Sequence, residues 1–103
     1  MLSKKDIEQI KNKIVSELRP QKIYIFGSYA RENADEESDI DILVIMNTLL
    51  NPHQRNLQVK RLFPRRSFSM DAFVYTPEEA LRYQNIPGTV LNSAVTRGKL
   101  LYG

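Results

Sequence analysis

The sequence predicts an α/β or α+β domain, a small sheet with helices packed against it. Three observations carry that prediction. The 103 residues suit a single domain, 1–103, large enough to bury a real core. Apolar spacing alternates along the chain between helical and strand periods, in the order α-β-α-β-α-β-α-α-β. Residues 40–46 are apolar on both faces in their second half, the mark of a strand central in its sheet.

Ile7, Ile10, Ile14 and Leu18 recur at helical spacing and predict a helix over 4–18, with Ser3 as its cap and Asp6 completing a capping box. Arg19-Pro20 ends it. Lys22-Ile23-Tyr24-Ile25-Phe26 reads as a strand stopped by Gly27, with Tyr24 and Phe26 in the core. A short helix over 28–33 and a polar loop over 34–38 lead into the β-branched strand 40–46. Asn51-Pro52 starts a weakly periodic helix over about 53–62, with His53 on the surface of its first turn. Residues 68–75 form a third strand, with Phe68, Met70, Ala72 and Val74 on one face. Thr76-Pro77-Glu78-Glu79 opens a helix over 77–84, which Pro87-Gly88 breaks. A last helix over 89–96, capped by Gly98, runs into a short strand over 99–102.

Composition removes several classes of function. Apolar residues at 42% and charged residues at 26% argue against wholesale disorder. No Cys excludes disulfides, thiolate catalysis and Cys-based zinc sites, and suits a reducing cytoplasm. His53 is the only histidine, which excludes a multi-His metal site or mechanism. No apolar run approaches the ~20 residues of a membrane span, and the charged start predicts no secretory signal. A cytoplasmic protein off the membrane is expected.

The net charge of +3 conceals a pattern. Residues 27–46 set Arg31 against Glu32, Asp35, Glu36, Glu37, Asp39 and Asp41, net −5. Residues 47–70 hold Arg55, Lys60, Arg61, Arg65 and Arg66 and no acid, net +5. An acidic block beside a basic one suggests a cation site next to an anion-binding surface, although a charge-mixed solvated face explains it as well.

The sharpest feature is Gly27-Ser28, followed by Asp39-Ile40-Asp41. Gly27-Ser28 lies at a strand-to-helix turn, where glycine lets a ligand approach the backbone and free N–H groups bind phosphate. The Ser28 hydroxyl adds a donor. Asp39 and Asp41 are two apart at a strand start and point to one side of it. Side-by-side carboxylates repel unless a cation sits between them, and oxygen-only ligands suit Mg²⁺ with substrate phosphates. Asp71 falls mid-strand among apolar residues, where a lone charge needs a partner or a metal. Each residue alone has an ordinary explanation, as a turn, a loop acid or cap, and a buried acid paired with an arginine. The combination does not.

Gly27-Ser28-Tyr29-Ala30-Arg31 followed by Ser38-Asp39-Ile40-Asp41-Ile42-Leu43-Val44 resembles the signature of the minimal nucleotidyltransferases of the DNA polymerase β superfamily. Met70-Asp71-Ala72-Phe73 is similar to that family's third carboxylate strand, and Gly98-Lys99-Leu100-Leu101-Tyr102 to its C-terminal strand, so the likeness covers most of the chain. It implies a small mixed sheet flanked by helices. It also implies that Asp39, Asp41 and Asp71 bind two Mg²⁺ ions, that Asp71 serves the acceptor side, and that Gly27 and Ser28 hold the phosphates of ATP. Arg31 reaches a phosphate or pairs with the acidic loop 32–37, and Tyr29 lies near the nucleotide.

Similar stand-alone domains are the antitoxin halves of HEPN–minimal nucleotidyltransferase pairs, several of which transfer AMP to a tyrosine of the HEPN partner. Larger relatives carry a helical domain that supplies half of the acceptor site, and this chain has no space for one. The expected function is therefore a Mg²⁺-dependent adenylyltransferase acting as an antitoxin on a HEPN-type toxin. Two alternatives stand beside it: a binding module that neutralises its partner by occlusion, and a small-molecule nucleotidyltransferase completed by oligomerisation. For the basic segment 55–66, a docking surface for a protein partner or plain solvation is preferred to nucleic-acid binding, because only Phe63 and Phe68 lie nearby as aromatics.

Overall fold

Ser3 accepts a hydrogen bond from the Asp6 N–H and the Asp6 carboxylate accepts one from the Ser3 N–H. This capping box starts α1, Lys4–Leu18. The computed structural model describes residues 2–103 except Glu32, Glu36, Glu37 and Arg66. After α1 come β1 (Lys22–Phe26), a 3-10 turn (Gly27–Tyr29), β2 (Ile40–Ile45), α2 (Pro52–Lys60), β3 (Met70–Tyr75), α3 (Pro77–Tyr83), α4 (Val90–Arg97) and β4 (Lys99–Tyr102).

The strands form one mixed sheet in the order β3-β2-β1-β4. β1 pairs antiparallel with both β2 and β4, while β2 and β3 run parallel and are joined through α2. The expected fold class is what the chain adopts, with 40–45 central in the sheet. β2 carries no polar break after Asp41 because both of its faces are covered. On one face Ile23, Ile25, Ile40, Ile42, Val44, Met70, Ala72 and Val74 pack under Ile10 and Ile14 of α1 and Val59 of α2. On the other, Leu43 and Ile45 pack under Ala80 of α3 and Leu91 and Ala94 of α4. Ile14, Ile23, Ile40, Ile42, Leu43, Val44, Val59 and Leu91 are fully buried, each contributing about 1.5–3 kcal/mol.

Boundaries differ from expectation where tertiary contacts decide them. The helix expected over 28–33 is a 3-10 turn of three residues, extended by Ala30 and Arg31 N–H groups that both bond to the Gly27 carbonyl. Glu32, within that expected helix, and Glu36 and Glu37, within the loop expected over 34–38, lie outside the described residues. The third strand begins at Met70 rather than 68, since pairing with β2 starts at Ile40↔Met70.

Arg55, counted in the basic segment, is not a surface charge. It is buried, donates Nε to the Leu50 carbonyl and Nη1 to Glu79 Oε1 at 2.7 Å, and ties α2 to the start of α3. Burial works against the Glu79 anion, but the Thr76 N–H and the Arg55 guanidinium outweigh it and hold Glu79 below the usual range. Arg66, the last of that segment's cations, lies outside the described residues.

β3 is an edge strand, and α2 closes its edge: the Val74 N–H donates to Asn56 Oδ1 at 3.1 Å. Asn56→Ala leaves that donor without its partner and is expected to lower stability by about 1–3 kcal/mol. Urea unfolding checks this, and an unchanged midpoint would show that water replaces the amide.

Candidate active site

Gly27 ends β1 with φ +72°, a left-handed conformation that glycine adopts without strain. The position is doubly restricted, because a Cβ built there would overlap Oδ2 of Asp41. The turn thus lies directly on the carboxylate of the first residue but one of β2. Register completes the corner. Asp41 is opposite Phe26 on β1 and opposite Asp71 on β3, so the two acids stand side by side on adjacent strands. Asp39 and Arg31 act on the same carboxylate through their charges.

The electrostatics of Asp41 report this crowding. Burial is the largest cause that pushes its carboxyl above 3.8, Asp71 is the next and Asp39 the third, while Arg31 opposes them. The four acid and base groups expected at the site, Asp39, Asp41, Asp71 and Arg31, therefore converge. Gly27 and Ser28 adjoin them in the 3-10 turn, half-buried.

Two expectations about single residues are corrected. Asp71 is not a buried lone charge: it is the exposed second residue of an edge strand. Tyr29 turns away from the corner. Its hydroxyl accepts from the Leu2 N–H at 3.0 Å and its ring packs in the α1 layer. The alternative in which Arg31 pairs with 32–37 falls largely on Glu32, Glu36 and Glu37, outside the described residues.

The donor set fits a divalent cation in one respect and limits it in another. Repelling carboxylates around a half-buried acid are relieved by a positive ion. Among the described residues, however, no three His, Cys, Asp or Glu side chains form a ready enclosure for a metal. Mg²⁺ does not require one, since it binds through one or two carboxylates and completes its octahedron with water and substrate phosphate. The corner is also open. The helices α3 and α4 cover Leu43 and Ile45 but leave the N-terminal ends of β2 and β3 uncovered. A hollow of about 620 Å³ lies on the α1 face, beside Tyr29 and Leu101, and none of the three acids lines it.

One feature escaped sequence reading. The rings of Phe26 and Phe73 meet at a centroid distance of 5.9 Å, tilted by 50°. β2 separates their strands, so the backbones stand about 10 Å apart and the rings bridge over β2. Alternation placed Phe73 on the side of Asp71, but only the register reveals that Phe26 shares it.

Comparison with known proteins adds the following. The family model described as "Polymerase beta, Nucleotidyltransferase" matches residues 8–103. Two Methanocaldococcus jannaschii proteins, each named "putative protein adenylyltransferase", are similar. One is 33% identical over 72 residues, covering 69% of this chain and 66% of the relative. The other is 47% identical over 47 residues, covering 44% and 47%. The matches thus span just under two thirds of the first relative and about half of the second.

Among solved structures, a toxin–antitoxin crystal structure with AMP-PNP aligns with TM-score 0.65 and 26% identity, over 93% of this chain and 73% of that one. The crystal structure of a "putative nucleotidyltransferase" from Sulfolobus solfataricus aligns with TM-score 0.57 and 29% identity, over 74% and 68%.

Proposed function

This chain belongs to the polymerase beta nucleotidyltransferase family, and we propose that it is an adenylyltransferase that acts as an antitoxin, moving AMP from ATP to a tyrosine hydroxyl of a HEPN-type toxin. The carrying observation is the corner itself: Gly27 lies on Asp41, Asp41 stands beside Asp71, and Asp39 and Arg31 act on the same carboxylate. The names of the M. jannaschii relatives support protein adenylylation, and the toxin–antitoxin neighbour supports the partner class.

Asp39, Asp41 and Asp71 would hold Mg²⁺, two ions in the full reaction. When bound, Mg²⁺ neutralises phosphate charge and lowers the pKa of the acceptor hydroxyl. The chain's own groups do the rest. The absence of a side chain at Gly27 lets phosphate approach the backbone. The Ser28 hydroxyl and the backbone N–H groups donate to phosphate oxygens. Arg31, exposed at the end of the turn, offers a second cationic contact. Asp71, open to solvent at the sheet edge, takes the proton as the acceptor oxygen attacks the α-phosphorus. The new bond is oxygen to phosphorus, the broken bond is that between the α-phosphorus and the bridging oxygen, and pyrophosphate leaves.

The test incubates the full chain with ATP, Mg²⁺ and the protein encoded beside it, and weighs both chains intact. The expected result is a gain of about 329 Da, one AMP, or multiples of it on the partner, and its loss in Asp39→Ala. Transfer that survives in Asp39→Ala would overturn the mechanism. A stable complex with no mass gain would replace catalysis with occlusion.

A further inference from the structure

The two edges of the sheet are finished differently. On β3 the Asn56 amide takes up the Val74 N–H. β4 has β1 as its only strand neighbour, and among the described residues no side chain bonds to the backbone of Leu100, Leu101 or Tyr102. An edge strand turns alternate N–H and C=O groups outward, where another chain can pair with them. β4 has no proline and a single cation, Lys99, at its start. Beyond it Leu100 is 50% and Tyr102 38% exposed. The hollow of about 620 Å³ opens beside this edge on the α1 face, walled by Leu2, Ile7, Ile25, Tyr29 and Leu101.

The charge around the edge has one sign. Lys4 lines the hollow, Arg97 precedes β4, and Lys22 lies against Gly103 at its far end. All three are exposed and have no ion pair among the described residues. Glu8, which also lines the hollow, is paired with Lys11.

We propose that the β4 edge is a docking strand for a protein partner, which adds an extended segment of alternating apolar residues flanked by acidic ones. The main chain of that segment pairs with β4, and every second side chain enters the hollow or covers Leu100. Its acids meet Lys4, Lys22 and Arg97. A second copy of this chain is a poor occupant. Two-fold pairing of β4 with itself brings the same cations together, and sets the irregularity at Leu101 against its own copy.

The proposal rests on the antitoxin reading for its choice of partner and deepens it by naming the surface that holds the toxin. Lys99 is opposite Ile25, two residues before Gly27, and Phe26 is opposite Asp41. β4 therefore starts at the sheet end that carries the acidic corner. Only β1 lies between β4 and β2, so the corner is about 10 Å away across the sheet. A segment held on β4 is thereby delivered to the site.

The test uses the full chain and the protein encoded beside it. In the complex, amide hydrogen exchange over Leu100–Tyr102 is expected to slow at least about tenfold. By titration calorimetry, Leu100→Asp should weaken the complex at least about tenfold. Tyr102→Asp should do the same from the far end of β4, so that one poorly folded variant does not decide the result. Leu81→Asp, at a leucine 73% exposed on α3, should leave the affinity unchanged. Affinity of the wild type should fall as salt rises.

No complex, unchanged exchange at β4, or equal affinity in both β4 variants would overturn the proposal. A chain that is dimeric alone by light scattering and monomeric as Leu100→Asp would overturn it too and assign the edge to a second copy. Slowed exchange at β4 without transfer of AMP would keep the docking strand and lose the transferase reading. Transfer with an unchanged KM for the partner in Leu100→Asp would do the reverse.

Discussion

Asp41→Asn is expected to abolish nucleotidyl transfer and, in metal-free buffer at pH 7, to raise the melting temperature. The activity loss is on the order of 10³-fold or more, because the anion nearest Gly27 and Asp71 is removed from the phosphate-handling corner. The gain in stability follows from the raised pKa. Burial, then Asp71, then Asp39 disfavour the ionised form of Asp41 in the folded chain, and no such penalty exists in the unfolded chain. With the folded pKa above 3.8, Asp41 costs nothing at a pH below that value, where it is neutral in both states. The penalty builds as pH rises above 3.8, where the unfolded chain ionises while the folded carboxyl stays protonated, and it is complete once pH has passed the folded pKa.

The difference in melting temperature between Asp41→Asn and wild type should therefore be positive at pH 7 and shrink in acid. Asp41 is only partly buried, which limits the gain to a few degrees. Mg²⁺ should raise the melting temperature of the wild type more than that of the variant, since it relieves the repulsion that the variant lacks. Thermal melts from pH 3 to 8 check both signs. A variant less stable than wild type at pH 7 would show that Asp41 is held by attractive contacts instead.

Gly27→Ala carries the second large effect, on both stability and transfer. The alanine must keep φ near +72° and also displace the Asp41 carboxylate. We expect a loss of about 2 kcal/mol or more in stability and on the order of 10² in rate, since shifting Asp41 by about 1 Å misaligns the corner. A double-mutant cycle separates the two causes. In an Asp41→Ala background the collision is gone and only the backbone term is left, so Gly27→Ala should cost less there by at least about 0.5 kcal/mol. Strict additivity would mean that the glycine serves the backbone alone.

Much of the fold was legible along the chain because its signals are local. Ser3 with Asp6 and Thr76 with Glu79 are complete capping boxes, and Asn51 and Thr89 cap the other two α-helices. These boundaries depend on groups three residues apart. The central position of β2 was readable from its doubly apolar composition. At the site, Gly27, Ser28, Asp39 and Asp41 stood out because their spacing within about fifteen residues already encodes a turn and a strand face. Asp71 stood out as a carboxylate in an apolar run, but its surroundings were misread: an edge strand leaves its second residue open, and edge position is set by sheet order.

Arg55 and Tyr29 show the same limit from the other side. Nothing near Arg55 in the chain announces Glu79, 24 residues away, and without that partner an arginine in a basic run reads as solvated. Tyr29 borders the phosphate-binding turn in sequence, yet a three-residue 3-10 turn swings its ring under α1 to Leu2.

By itself, the sequence determined the four α-helices, the existence of the four strands, the turn at Gly27 and which residue types carry charge, since each depends on backbone preferences and contacts a few residues apart. Only the tertiary structure decided that β1, β2 and β3 align Phe26, Asp41 and Asp71 in one row. It alone decided that two rings meet across β2 and that Arg55 is sealed against Glu79. Strand order and register are settled by summing small burial and pairing energies over the whole sheet, and no short stretch of chain contains that sum.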